Sequence, residues 1–456
     1  MGSEWPTVRL GNYIDSCLGK MLDKEKNRGE LYPYLGNKNV RWGSFDLDDL
    51  AEMRFEEHEH DRYGLKYGDL IVCEGGEPGR CAIWKNQIPG MKIQKALHRV
   101  RPLEGLNNYY LHYWFTWAYR GGLLDPWFTG TTIKHLTGRA ISQLEVPLPP
   151  IKTQEEIARV LCSLDDKIAL NHQINTTLES MAQALFKSWF VDFDPVIDNA
   201  LAAGNPIPEA LQARADARAA LGDQRKPLPD HIRQQFPDRF VLTEEMGWVP
   251  EGWHISTIGE EVETTGGGTP STKNPDFWES GTHPFCTPKD MSQLKSLVLM
   301  DTERHLTDAG VRKISSGQLP KGTVLMSSRA PIGYLAISDI PVSVNQGIIA
   351  MLPNQHYGPV YLLCWAKTNM NHITDRANGS TFQEISKKNF RPIPFLVPGK
   401  GILEAFNEQA EAIYSRILLT SEQTDALTRL RDTLLPKLLS GELRVPEAER
   451  PVAEII

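Results

Sequence analysis

The chain has 456 residues, 41% of them hydrophobic, with 49 Lys+Arg against 57 Asp+Glu and a formal net charge of −8. It is long enough for several cores, and the acidic balance argues against a uniformly basic nucleic-acid binder. No run approaches 18 consecutive apolar residues, no signal-peptide pattern opens the chain, and six scattered cysteines (Cys17, Cys73, Cys81, Cys162, Cys286, Cys364) form no C-x-x-C, so a membrane span, a leader, a disulfide frame and a zinc site are all unexpected.

Residues 1–150 alternate short apolar runs with glycine turns and scattered aromatics, the pattern of a β-rich α/β domain. Pro149-Pro150 then precedes a long helix over 151–195. Its apolar positions are Ile157, Leu161, Leu164, Ile168, Leu178, Ala182, Leu185 and Trp189, with Asn171 and Asn175 filling the gap at heptad spacing. Residues 196–246 are rich in Ala, Pro and charge, with a helical stretch at 209–221, and read as a connector lying over a surface without a core of its own. A second β-rich domain spans 247–399, followed after Pro398-Gly399 by a helix over 400–445. Its seam is Phe406, Ala410, Ile413, Ile417, Thr420, Thr424, Leu427, Leu434 and Leu438, with Arg431 as the misfit. The tail 446–456 reads as frayed.

The second domain and helix repeat the first. Trp5-Pro-Thr-Val-Arg-Leu-Gly11 answers to Trp253-His-Ile-Ser-Thr-Ile-Gly259, and Tyr34-Leu-Gly-Asn-Lys-Asn-Val40 to Phe285-Cys-Thr-Pro-Lys-Asp-Met291. Gly68-Asp-Leu-Ile-Val, running to Gly79, answers to Gly322-Thr-Val-Leu-Met, running to Gly333. From Thr129-Gly-Thr-Thr-Ile133 and Asn378-Gly-Ser-Thr-Phe382 one offset of 249 holds to the ends of the copies. A repeat this long marks two similar folded units, because solenoid repeats run about 20–50 residues. The polar break at Asn171 and Asn175 meets Thr420 and Thr424 whether the helices pair parallel or antiparallel, so these residues leave the direction open.

No catalytic spacing appears: there is no G-x-G-x-x-G after a strand, no phosphate loop, no H-E-x-x-H and no metal-spaced His/Cys cluster. The amino-methyltransferase signature is also missing, since Asn274-Pro-Asp-Phe277 lacks its second proline. Gly266-Gly-Gly-Thr269 reads as a turn. Residues 1–150 carry 19 basic and 19 acidic side chains and residues 250–399 carry 13 of each, so the excess acid lies outside the two domains.

Tyr34-Leu-Gly-Asn-Lys-Asn-Val40, Gly322-Thr-Val-Leu-Met-Ser-Ser-Arg-Ala-Pro-Ile-Gly333, Val344-Asn-Gln-Gly347, Gln154-Glu-Glu-Ile157, Lys187-Ser-Trp-Phe-Val-Asp-Phe193 and Leu434-Leu-Pro-Lys-Leu-Leu-Ser-Gly-Glu-Leu443 together resemble the specificity subunit of Type I restriction-modification systems. The resemblance implies an α+β protein with two β-rich target-recognition domains (1–150 and 247–399), each reading half of a split site on double-stranded DNA. It implies two spine helices (151–195 and 400–445) that dock two methyltransferase subunits, with restriction subunits joining through the complex. It also implies a cytoplasmic protein without membrane contact, cofactor, metal or activity of its own. Because each helix follows its own domain, an antiparallel two-helix coiled coil would separate the domains and give the repeat pseudo-twofold symmetry. Runs of about 33 residues make about 50 Å of helix, roughly one and a half turns of B-DNA. The specificity chain of a Type IIB-like restriction enzyme is one alternative, and a coiled-coil scaffold without DNA readout is another.

The candidate DNA contacts are polar residues in turns present in both copies: Asn37, Lys38, Asn39 and Arg41 against Thr287, Lys289 and Asp290, and Thr131, Thr132 and Lys134 against Ser380, Thr381 and Gln383. Arg329 and Gln346 complete the set. Hydroxyls and amides take phosphate or base-edge contacts, while Lys and Arg add phosphate attraction or guanine readout. The loop Cys73-Glu-Gly-Gly-Glu-Pro78 is acidic where the second copy has Ser327-Ser-Arg-Ala-Pro331, and this departure puts a shared contact role for that turn in doubt.

Overall fold

A computed structural model describes residues 5–23, 27–224, 228–379 and 383–455. The chain divides into two units: one joins Met1–Ala169 to Gln423–Ile456, and the other is Leu170–Glu422. Each unit thus takes one β-rich domain together with half of each long helix.

In the first unit an antiparallel sheet runs in the order Ile14–Leu18, Leu97–Pro102, Leu70–Cys73, Cys81–Ile83. Leu70, Ile71, Val72 and Cys73 are all buried, which explains an unbroken apolar run where alternation would mark a half-exposed strand. Beside it lies a smaller sheet of Ala51–Phe55, Glu30–Leu35 and Lys92–Ile93. The helix Asn108–Arg120, capped by Asn107 accepting from the Tyr110 amide, buries Tyr110, Leu111, Tyr113, Trp114 and Phe115. The same core takes Ile157, Leu161 and Leu164 from the first long helix and Leu427, Leu434 and Leu438 from the second.

The second unit repeats the plan with more strands. A sheet of Thr264–Gly266, Ile348–Met351, Val324–Ser328, Ile332–Ser338 and Val298–Leu299 is antiparallel except at its last pair. A second sheet orders Arg304–Leu306, His283–Cys286 and Ser343–Val344. The glycines opening the matched strands share a left-handed conformation, φ +90° at Gly68 and +88° at Gly322, which a side chain would strain. The opening pair is also common to both: Thr7–Arg9 lies antiparallel to Glu145–Pro147, and His254–Thr257 to Pro394–Val397.

The long helices run without interruption over Ile151–Phe190 and Lys400–Ser440. Inside the second unit, Asn175 Nδ2 donates to Ser421 Oγ at 2.9 Å, and the Phe190 and Phe406 rings stand 5.2 Å apart. Fifteen residues forward on one helix (175 to 190) is fifteen back on the other (421 to 406), so these segments run antiparallel. The polar break is buried there: Asn171 and Asn175 are 1% exposed and Thr420 5%. The partner of Asn175 is Ser421, a residue outside the seam read from the sequence. In the first unit the misfit Arg431 donates to Asp165 Oδ1 at 2.7 Å, and Tyr113 Oη donates to Asp165 Oδ2 at 2.7 Å. A charge in the seam is tolerated because the facing helix supplies its counter-ion.

Two expectations are corrected. Connector residues Val196, Ile232 and Phe236 belong to the main core of the second unit, and Arg214 and Arg218 make paired contacts with Asp194 and Asp198. These anchors hold the helices Asp194–Ala203 and Glu209–Ala220 together, where composition alone suggests a surface strap. The tail is a helix, Val445–Ile455, burying Val445, Ala448 and Val452 against the first unit. Val445, Ala448 and Val452 fall at helical spacing, but Pro446 and Pro451 mask the helix in the sequence. Among the described residues no helix is long and apolar enough to cross a membrane.

Candidate nucleic-acid interface

In the first unit three distant segments converge on the backbone of Glu74 and Gly75. Asn37 Nδ2 donates to Gly75 O at 3.0 Å, and Arg80 donates back to Asn37 O at 3.0 Å. Leu136 N donates to Glu74 O at 2.7 Å, while Glu74 N donates to Ala96 O at 2.9 Å. The two backbone bonds recur in the second unit, where Ile385 N donates to Ser328 O at 3.0 Å and Ser328 N donates to Gly347 O at 2.8 Å, without a counterpart of the Asn37 bond among the described residues. Its Arg329 pairs with Glu384 at 3.6 Å. Turns that lie far apart in sequence thus stand side by side in each unit.

The first turn is a short helical cap in both copies. Gly36 N donates to Asn39 Oδ1 at 3.0 Å, and Thr287 N donates to Asp290 Oδ2 at 2.9 Å. Asn39 is 3% exposed, and its amide also donates to Asp46 O at 3.0 Å. Asp290 further accepts from Thr287 Oγ1 and from the Glu303 amide. Asn39 and Asp290 are therefore engaged by the turn itself, as N-cap chemistry requires. Lys38 and Lys289 project from the same turns into solvent, paired with Asp49 at 2.5 Å and Glu303 at 2.6 Å. The hydrogen bonds that both ammonium groups donate to these carboxylates raise their pKa values above the ordinary lysine value. Arg41 pairs with Asp46 at 3.0 Å. Such exposed pairs are weak and salt-screened, so a phosphate can displace the carboxylate.

The second turn is a loop closed by an antiparallel bridge, Thr129 to His135 in one copy and Asn378 to Glu384 in the other, the same offset of 249. Gly130 and Gly379 open these loops at φ +91° and +97°. Thr131, Thr132 and Lys134 are exposed, with Lys134 Nζ lying 5.5 Å from the Phe128 ring. Gln383 is exposed; Ser380 and Thr381 lie outside the described residues. A Cβ at Gly130 would sit 2.2 Å from Ile133 O. Gly130→Ala is therefore expected to cost about 1–3 kcal/mol locally and to open the bridge, seen as faster amide exchange at Thr129 and His135. Unchanged exchange would contradict the backbone role of this glycine.

Gln346 is exposed, its Oε1 accepting from Thr269 Oγ1 at 2.6 Å. The hydrogen bonds at Glu74 and Ser328 put Lys95-Ala96 where the second copy has Gln346-Gly347, so exposed Lys95 joins the candidates. A shift in spacing hides this match: Lys95 lies 27 residues after Gly68, and Gln346 lies 24 after Gly322. The acidic loop is partly neutralised, because Glu77 accepts from Trp42 Nε1 at 2.8 Å and from Arg80 at 3.0 Å. The assembled surface offers hydroxyls, amides and loosely held cations. Among the described residues no His/Cys/Asp/Glu group is placed to hold a metal ion.

A family model described as the Type I restriction modification DNA specificity domain matches the chain twice, over residues 2–180 and 250–415. The chain is 30% identical over 333 residues to the Type I restriction enzyme HindI specificity subunit of Haemophilus influenzae, covering 68% of this chain and 72% of that one. It is 23% identical to the Type I restriction enzyme MjaIX specificity subunit of Methanocaldococcus jannaschii, covering 83% and 78%. Among solved structures, the Type-I restriction-modification system S subunit from M. genitalium is similar in fold, with a TM-score of 0.52 at 18% identity over 96% of both chains.

Proposed function

The chain belongs to the family of Type I restriction modification DNA specificity domains, and from that membership we propose that it is the DNA-specificity subunit of a Type I restriction-modification complex. It acts as a non-catalytic reader, with methylation and cleavage performed by partner subunits. Residues 1–150 and 247–399 are its two target-recognition domains, each reading one half of an asymmetric bipartite site. The helical segments 151–195 and 400–445 form an antiparallel coiled coil with pseudo-twofold symmetry that docks two methyltransferase subunits. Restriction subunits join through them, and the complex works in the cytoplasm.

The observation that carries this reading is the recurrence in both units of backbone bonds that gather exposed polar residues from segments about 20 to 60 residues apart in sequence. A duplicated geometry with different side chains is what two different half-sites require. In the first domain Lys38, Arg41, Thr131, Thr132 and Lys134 face the DNA, and Asn37, whose side-chain amide is engaged by Gly75 O, holds the turns together. In the second, Thr287, Lys289, Arg329, Gln346, Ser380, Thr381 and Gln383 face it, and Asn39 and Asp290 hold the turns. Lysines and arginines on phosphates set the register, and hydroxyls, amides and arginine forks read base edges.

Genome-wide methylation mapping in cells expressing the chain with its partner methyltransferase tests the proposal. The expected result is one asymmetric motif of two half-sites around an unread spacer; an uninterrupted motif, or methylation without sequence dependence, sinks it. Stoichiometric S-adenosylmethionine binding by the isolated chain would also contradict it. Inserting seven residues into one spine helix is expected to change the spacer or abolish assembly. Unchanged spacing with intact assembly would remove the helices as ruler.

A further inference from the structure

Arg304 opens the strand Arg304–Leu306, paired to His283–Cys286, whose end runs directly into the Thr287–Asp290 turn. Its guanidinium carbon lies 3.6 Å from the Trp278 ring centroid. Trp278 is itself fixed: its ring meets Phe285 edge-on at 5.1 Å and 85°, and its Nε1 donates to Ser271 O at 3.1 Å. Phe285 is 1% exposed, so this support belongs to the core. The neighbouring acids are engaged elsewhere: Glu303 pairs with Lys289 at 2.6 Å, Asp301 with His305 at 3.0 Å and Asp308 with His283 at 2.6 Å. Among the described residues no carboxylate pairs with Arg304, in contrast to Lys38, Arg41, Lys289 and Arg329 on the candidate interfaces.

Stacking covers one face of a guanidinium and leaves its N–H groups free at the edge, in a plane that the ring dictates. Phosphate attraction needs only charge, whereas the paired acceptors on a guanine edge are matched in direction by the rigid planar fork of an arginine better than by the point charge of a lysine. Building on the reading of the second domain as a DNA reader, we infer that Arg304 is a specificity-determining residue of that domain, presenting its guanidinium edge to the O6 and N7 acceptors of a guanine in the major groove. The duplication does not single it out, because among the described residues the first copy has no arginine stacked on an aromatic ring at the matching strand Ala51–Phe55. The Trp278 plate holds the fork in its reading orientation before DNA arrives, which reduces the ordering cost of the contact.

The test uses the full chain in complex with its partner methyltransferase, comparing wild type, Arg304→Ala and Arg304→Lys by methylation mapping and by binding to oligonucleotides differing at single positions. In both variants guanine at one position of the second-domain half-site is expected to lose its preference by roughly 10- to 100-fold, with the first-domain half unchanged. The lysine variant keeps the charge, so loss there isolates the planar fork. An intact motif with uniformly weaker, less salt-dependent binding in the alanine variant, or full recovery by lysine, overturns the inference in favour of a phosphate contact. Absence of any motif with the wild-type complex would instead overturn the underlying reading of the chain.

Discussion

Replacing residues 1–150 with the corresponding domain of another specificity chain is expected to change one half of the recognised sequence completely and leave the other half untouched. Every segment that meets at the first knot of turns, around Asn37, Glu74, Ala96 and Leu136, lies inside that exchange. The seam to the spine is an apolar core shared with Ile157, Leu161, Leu164, Leu427, Leu434 and Leu438, pinned by a few specific hydrogen bonds. Gln154 accepts from the Asn107 amide at 2.9 Å and donates to Pro149 O at 2.8 Å, and Tyr113 donates to Asp165. A donor domain retaining a tyrosine at 113 should therefore seat without disturbing the helices. Methylation mapping of the chimera decides the matter, and a change in both half-sites would refute independent readers.

Arg431→Ala is expected to destabilise the first unit by about 3 kcal/mol, the lower end for breaking a buried pair, because Asp165 keeps a third of its side chain in water. Burial opposes the charge on the Arg431 guanidinium, but Asp165 and Asp432 beside it together outweigh that and hold its pKa above the ordinary value. Removing it leaves Asp165 with the Tyr113 hydroxyl alone. Changing both partners to leucine should recover most of the loss, since the Coulomb gain and the desolvation cost disappear together. Urea unfolding of Arg431→Leu, Asp165→Leu and the double variant gives the coupling directly, and additive losses would show that the pair does not hold the seam. In the second unit the offset of 249 puts Tyr414 and Ala182 at these positions, lining a cavity of about 20 Å³. The duplication carried the helix and not the ion pair.

The strands at Leu70–Cys73 and Val324–Ser328 and the glycines that open them were legible because an apolar run and a left-handed turn are local demands. The loop at Thr129 and its copy at Asn378 were legible through a constant offset. Asn39 and Asp290 read as contacts because exposed and turn-capping polar residues look alike in a sequence; only their hydrogen bonds separate the two uses. Lys95 and Arg304 were missed for the opposite reason. A change in spacing hid one, and the meaning of the other comes from a tryptophan 26 residues away.

By itself the sequence determined the doubling, the two β-rich domains, the two heptad helices and the absence of catalytic spacing, because periodicity and turn chemistry act over a few residues. Only the tertiary structure decided the antiparallel run of the helix segments in the second unit, the counter-ion of Arg431, the anchoring of the connector and tail, and which polar side chains remain exposed. Those outcomes depend on which distant groups meet and satisfy one another's hydrogen bonds and charges, and that pairing is written in no single stretch of chain.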